Sequence, residues 1–223
     1  MARPRGNYAV TEARRLAILE AALQIFGASG YNGSSLKQVA EVVGISEAGI
    51  LHHFKTKSDL LLAVLDYRDN LSNEWFNDSV HNSLAFVSDW MLLLDYNTRN
   101  PGIVELYTIL SGEATSKTHP AHAYFRERYE TVRIFVEANF KGMLEDGHLV
   151  PGAPTPSELA TSLISISDGL QVQWLLDPTV DILRHNESFL RRLLTPAAWA
   201  WVQQDIEVKS AFETPRHRDS AAA

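Results

Sequence analysis

Apolar side chains recur along this chain at the three-and-four spacing of helices, and no segment shows strand alternation bounded by hairpin turns. The stripe is cleanest at Leu36, Val39, Ala40 and Val43, which fall at i, i+3, i+4 and i+7 and predict a helix of about two turns. Ser35 is placed to cap it, with Gln38 reaching back to complete a capping box. Gly44 ends the helix, because glycine accepts the left-handed conformation that closes one, and Ile45 can then enter the core. Ser46 opens a second short helix whose Ile50 and Phe54 face inward, leaving Glu47, Ala48, Gly49, Leu51, His52 and His53 outward. Two such helices across a glycine-containing turn are a helix-turn-helix, in which the second enters the major groove of DNA. An ordinary helical hairpin has the same spacing.

The rest of the chain continues the helical pattern. Met1 to Val10 reads as a polar arm with Arg3 and Arg5 flanking Pro4, either solvated or lying in a minor groove. Thr11 is expected to cap a helix reaching about Ser29, with Ile18, Ala22, Ile25 and Phe26 inward. Arg14 and Arg15 then stand near its start, where positive charge opposes the helix dipole unless phosphate is nearby. Gly27, Gly30 and Gly33 break the chain into a loop. A helix from Ser58 to about Asn77 follows exposed Lys55 and Lys57, and its N-terminus offers a phosphate site. Further helices are expected over 83–99, 101–114, 120–146, 156–176, 179–194 and 196–209, with Pro101, Pro120 and Pro196 in opening turns, where a missing N–H costs nothing. The fold class is all-α.

Charge divides the chain unevenly. Residues 1 to 58 carry seven Lys/Arg against four Asp/Glu, a net of +3; the remainder of a −7 chain therefore carries −10, so only the N-terminal quarter suits phosphate. The absence of cysteine excludes disulfides, thiol nucleophiles and thiolate metal sites. No apolar run approaches a membrane span and no secretion signal opens the chain, so cytoplasmic residence without a membrane partner is expected.

The run GISEAGILHHFKTKSDLL resembles the recognition-helix signature of the tetracycline-repressor (TetR) family of transcriptional regulators. Upstream, Ile18, Leu19, Ala22, Phe26, Gly30, Tyr31 and the Ser34-Ser35-Leu36 triplet sit where that family places its first helix and the lead into its second, so the resemblance covers roughly residues 10 to 65. It implies an N-terminal three-helix DNA-binding domain with its arm over 1–57, a larger helical effector-binding and dimerisation domain over 58–209, and a disordered tail over 210–223. It also implies a homodimer on a palindromic double-stranded operator, released by a small-molecule effector, with no cofactor. DNA contacts are expected from Ser35, Ser46, Glu47, Ala48, Gly49, Leu51, His52, His53, Lys55 and Lys57, with Arg3 and Arg5 from the arm. Lys57 matches a lysine that commonly contacts the backbone in the family. Leu51 departs from a frequent tyrosine; it cannot bind a phosphate, but it can pack on a thymine methyl, leaving base readout to His52 and His53. Glu47 either accepts from a cytosine amino group or favours the helix start.

An aromatic-rich, acidic second part suits a small apolar effector, uncharged or cationic. Candidate ligand residues are Trp90, Tyr107, Phe125, Tyr129, Asp168, Gln171 and Trp174, each of which packing alone also explains. Glu105, Glu113, Asn97 and His122 lie beside the same stripes. Asp168 stands out as a carboxylate in an otherwise apolar helix, where burial demands a partner; a neighbouring hydroxyl would suffice. The segment from Asp168 to Pro178 resembles the penultimate helix of a branch of the same family, and Leu159, Ala160, Leu163, Ile164, Ile166 and Leu170 make that helix apolar on more than one side, as a dimer helix needs. Competing readings are a helical ligand-binding or adaptor protein that does not read DNA, an enzyme or metal site around His119 and His122, and His52 with His53 as a pH sensor. Pro120 and the lack of a catalytic context count against the enzyme, and neutral imidazoles at a DNA surface need no switching role.

Overall fold

The computed structural model describes residues 5–76 and 82–212. Its helices are α1 (Arg5–Ser29), α2 (Leu36–Val43), α3 (Glu47–His53), α4 (Lys57–Asn73), α5 (Ala85–Arg99), α6 (Pro101–Glu113), α7 (His122–Glu145), α8 (Pro156–Leu176), α9 (Ile182–Leu193) and α10 (Pro196–Phe212), with a 3-10 turn at Glu74–Phe76. An isolated antiparallel bridge joins Leu149 to Leu194; the fold is all-α, as the periodicity predicts.

Several boundaries differ from expectation. α1 begins at Arg5, so Thr11 lies inside it and is no cap; no proline interrupts residues 6–10, and each residue added to a formed helix gains a hydrogen bond. Arg14 and Arg15 consequently sit in mid-helix, and the expected conflict with the dipole does not arise. Gly27 also remains within α1. α4 is capped by Thr56, whose Oγ1 accepts from the Asp59 N–H at 3.0 Å, and not by Ser58. The last helix passes Lys209 and reaches Phe212. Arg3, Asn77 and the rest of the expected tail lie outside the described residues.

The chain separates into two compact units. One holds residues 1–70 with 105–125, and the other 71–104 with 126–223. In the first, Ile18, Leu19, Ala22 and Phe26 of α1 are buried, as are Leu36, Val39 and Ala40 of α2, Ile50 of α3, and Leu60, Leu61, Val64 and Leu65 of α4. Each of these side chains larger than alanine contributes roughly 1.5–3 kcal/mol when fully buried, which fixes the two short helices that could not persist alone. Val43, expected on the α2 stripe, is only half-buried.

In the second unit, Phe86, Val87, Met91, Val136, Phe140, Met143, Leu159, Leu163, Leu190 and Val202 form one apolar core. α5 packs on α9 and α10, and α8 packs on α9. Thr155 and Glu158 form a full capping box at α8, with Pro156 in its first turn. α9 is one-sided: Ile182, Asn186, Leu190 and Leu193 are buried while Arg184, Arg191 and Arg192 are exposed. Buried Ser167 of α8 donates to Asn186 Oδ1 at 2.7 Å, and the Asn186 amide donates to the Ile182 carbonyl, so this polar pair is satisfied inside the core. Lys209 of α10 reaches Asp89 Oδ1 at 2.6 Å and Asp205 Oδ2 at 2.9 Å, tying α10 to the middle of α5.

Candidate nucleic-acid interface

Two capped ends and one glycine define the reading element. Ser35 Oγ accepts from the Gln38 N–H at 3.2 Å, but Gln38 Oε1 takes the Ser35 hydroxyl proton at 2.9 Å instead of reaching the cap's backbone, so the expected capping box is half formed. A glutamine oxygen can only accept, and the serine hydroxyl is the donor nearest to it. Gly44 adopts φ +73°, its N–H returning to the Ala40 carbonyl, and Ile45 follows half-buried. Ser46 Oγ accepts from the Gly49 N–H at 3.1 Å and starts α3, which Phe54 closes.

On α3 the fully buried Ile50 and nearly buried Phe54 form the inward side. Glu47, Ala48, Leu51 and His52 are exposed, while Gly49 and His53 are half-buried. The face expected to meet DNA therefore carries no group that the protein's own core consumes. Leu51 is 41% exposed. Ser35 and Lys55 are exposed as well. Arg5 belongs to α1.

Lys57 is placed otherwise than expected. Its ammonium turns into the first unit, donating to the Tyr31 and Ser34 carbonyls, the latter at 2.6 Å, and lying 4.3 Å from the centroid of the Tyr31 ring. Partial burial lowers its proton affinity, and the Glu113 carboxylate opposes that effect. The lysine thus ties down carbonyls of the loop before α2, a role that accounts for its position without a phosphate.

That loop has further anchors which sequence reasoning missed. Glu113 Oε2, at the end of α6, accepts the Tyr31 N–H at 2.8 Å, and His119 Nε2 lies 3.4 Å from the same oxygen. The Tyr31 hydroxyl bonds Ser58 Oγ at 2.8 Å, and its ring meets His119 edge-on at 5.2 Å. Gly30 has φ +68°, a conformation that favours glycine, and a Cβ there would stand 2.5 Å from Glu113 Oε1 and push that carboxylate aside. Glu113 and His122 are expected beside the aromatic stripes, yet Glu113 anchors this loop, His119 is buried with its Nδ1 accepting from the Ala121 N–H, and His122 Nδ1 is 2.8 Å from the Ala114 carbonyl. Only the glycine at position 30 signalled a close approach.

The seven candidate ligand residues divide between the units. Tyr107 and Phe125 belong to the first, packed edge-on at 5.7 Å. The Tyr107 hydroxyl donates to Asp69, which also accepts from Tyr124, and Arg68 stacks 4.1 Å from the Tyr107 centroid. Burial, the neighbouring Tyr107 and the Asp69 charge hold the Tyr124 phenol far above its ordinary range. Trp90, Tyr129, Asp168, Gln171 and Trp174 belong to the second unit and are all half-buried. There the Tyr129 hydroxyl donates to Asp168 Oδ2 at 2.7 Å, supplying the partner that a carboxylate in this helix needs. The Trp90 indole N–H is buried and has no hydrogen-bond partner among the described residues.

Among the described residues, no group of three or more His, Cys, Asp or Glu side chains could hold a metal ion, and no helix is long and apolar enough to cross a membrane.

Comparison with known proteins bears on this geometry. The family model described as "Bacterial regulatory proteins, tetR family" matches residues 18–64, the helix-turn-helix with most of its supporting core. HTH-type transcriptional regulator RutR of Escherichia coli (strain K12) is 43% identical over 53 residues, 24% of this chain and 25% of its own. HTH-type transcriptional repressor AcnR of Corynebacterium diphtheriae is 43% identical over 51 residues, 23% of this chain and 27% of its own. The chain therefore matches only about a quarter of the length of these curated relatives. Over longer range the likeness is one of fold: a TetR-family transcriptional regulator from Agrobacterium tumefaciens superposes with a TM-score of 0.71 across 82% of this chain and 99% of that one, at 19% identity. Residues 18–64 thus carry the helix-turn-helix region of the tetR family of bacterial regulatory proteins, and the fold of a solved TetR-family regulator extends along most of the chain.

Proposed function

We propose that this protein is a sequence-specific DNA-binding transcriptional regulator, a cytoplasmic homodimeric repressor that a small apolar effector releases from a palindromic operator. The observation that carries the reading is the capped α2–turn–α3 element, whose outward side chains are exposed and whose sequence falls within the matched family region. Base contacts are assigned to Leu51 and His52, and supporting contacts to Ser35, Ser46, Glu47, Ala48, Gly49, His53 and Lys55. The repressor sense follows AcnR, named a repressor. Dimerisation through α8 is supported by Val172 and Leu176, an i, i+4 pair 42% and 83% exposed at its C-terminal end. The effector site is assigned to the second unit, where Trp90, Tyr129, Gln171 and Trp174 are only half-buried and the Tyr129–Asp168 pair offers polar recognition.

Selection from randomised duplex DNA tests the reading. A palindrome with half-sites about 34 Å apart, lost in a His52→Ala, His53→Ala variant, is the expected result; no enrichment at low salt overturns it. The competing adaptor reading predicts that second outcome.

A further inference from the structure

Beside the recognition helix the fold gathers positive charge that no carboxylate answers. The Arg15 guanidinium lies 4.4 Å from the centroid of the Phe54 ring, and Phe54 is the buried cap of α3, so an α1 arginine is held against the last turn of the reading element. His53 directly precedes that phenylalanine, and its ring meets His52 at 5.6 Å, nearly perpendicular. Arg14 is exposed and Arg15 half-exposed. Neither is ion-paired among the described residues, whereas Lys37 of α2 has Glu41.

The charged groups acting on His53 are His52 from its own helix and Arg15 and Arg14 from α1; no charged group of α2 is among them. Partial burial first, and then these three cations, hold His53 below the usual histidine range, so the free protein keeps this imidazole neutral near pH 7. An anion placed among the arginines reverses the balance, since it favours every positive charge around it.

We propose that Arg14, Arg15 and His53 together bind one backbone phosphate of the duplex beside the recognition helix, with His53 entering the site as imidazolium, so that DNA binding takes up a proton. This rests on the DNA-reading function proposed above and adds to it a contact from α1. Two guanidinium forks suit phosphate oxygens, and a fixed Arg15 needs little ordering to use its own. The contact is blind to sequence; it sets the register in which Leu51 and His52 meet the bases. Proton uptake makes the sign of the pH effect definite: affinity falls as pH rises through the interval between the free and bound titrations of His53.

The test uses the full chain and a duplex that the wild type itself selects, titrated by fluorescence anisotropy between about pH 5.5 and 8, the range in which histidine titrates. The expected result is a loss of affinity with rising pH, at most tenfold per unit for one proton, that His53→Gln flattens. Arg14→Ala removes an exposed side chain and leaves the fold alone. It should make binding less steeply dependent on salt and weaken the selected and a scrambled duplex by the same factor. A flat wild-type profile, a pH slope that survives His53→Gln, or an unchanged salt slope in Arg14→Ala overturns the proposal while leaving the DNA reader intact. Failure of the wild type to enrich any duplex overturns the underlying function, and the inference with it.

Discussion

Replacing Glu113 by alanine should loosen the loop that leads into α2, although residue 113 is about eighty positions away in sequence. The carboxylate accepts the Tyr31 N–H at 2.8 Å with its side chain only 23% exposed, a charge-assisted bond of about 1.5–3 kcal/mol. It also attracts the half-buried Lys57 ammonium, a partly solvated interaction contributing about 1 kcal/mol at most. The expected loss for Glu113→Ala is therefore about 2–3 kcal/mol. Glu113→Gln keeps an acceptor for Tyr31 and loses only charge, so it should cost about 1 kcal/mol. All five tryptophans of the chain lie in the other compact unit, so indole fluorescence is a poor reporter here and far-UV circular dichroism should follow the urea titration. Amide exchange at Tyr31 gives the local reading: losing 2 kcal/mol of protection speeds exchange by roughly thirtyfold. A Lys57→Met variant closes a double-mutant cycle, with coupling above about 0.5 kcal/mol expected for groups sharing one loop. If Glu113→Ala shifts stability by less than about 0.5 kcal/mol, as ordinary surface changes do, the anchoring role is refuted.

Two other substitutions separate conformation from contact and charge from packing. Gly30→Ala and Gly44→Ala both force alanine into positive φ, but only the first drives a Cβ against Glu113, so by urea denaturation it should be the more costly, each losing at least about 1 kcal/mol; equal losses would show that Glu113 yields freely. Lys209→Met should cost about 3 kcal/mol by leaving the buried Asp89 carboxylate without its ammonium, and adding Asp89→Asn should recover much of it. Burial opposes the Lys209 charge, but its hydrogen bonds to the Asp89 and Asp205 carboxylates and their charges outweigh it and raise its proton affinity. Its contribution is thus complete below the ordinary lysine range and fades as pH climbs above it; a wild-type stability unchanged through that climb would refute the assignment.

What the sequence disclosed follows the range of the forces involved. Caps, turns and helical stripes are local, and Ser35, Gly44 and Ser46 act within four residues of where they stand, so α2 and α3 could be placed almost to the residue. α1 escaped because its start is set by what fails to stop it, and Thr11 resembled a cap that nothing upstream required. Lys57 is expected to face a phosphate and Glu113 to flank a pocket for the same reason: a charged side chain at a helix end looks free until the fold shows which distant carbonyl or N–H it meets. The same limit applies to Arg15. The sequence marks it as a basic residue of α1 that a phosphate would suit, whereas the ring that holds it, Phe54, stands thirty-nine positions on. The bonds that shape the reading element's surroundings are long-range and polar, and such pairs leave no periodicity to read. That is why a signature specific enough to name the family still left its supporting contacts to the structure.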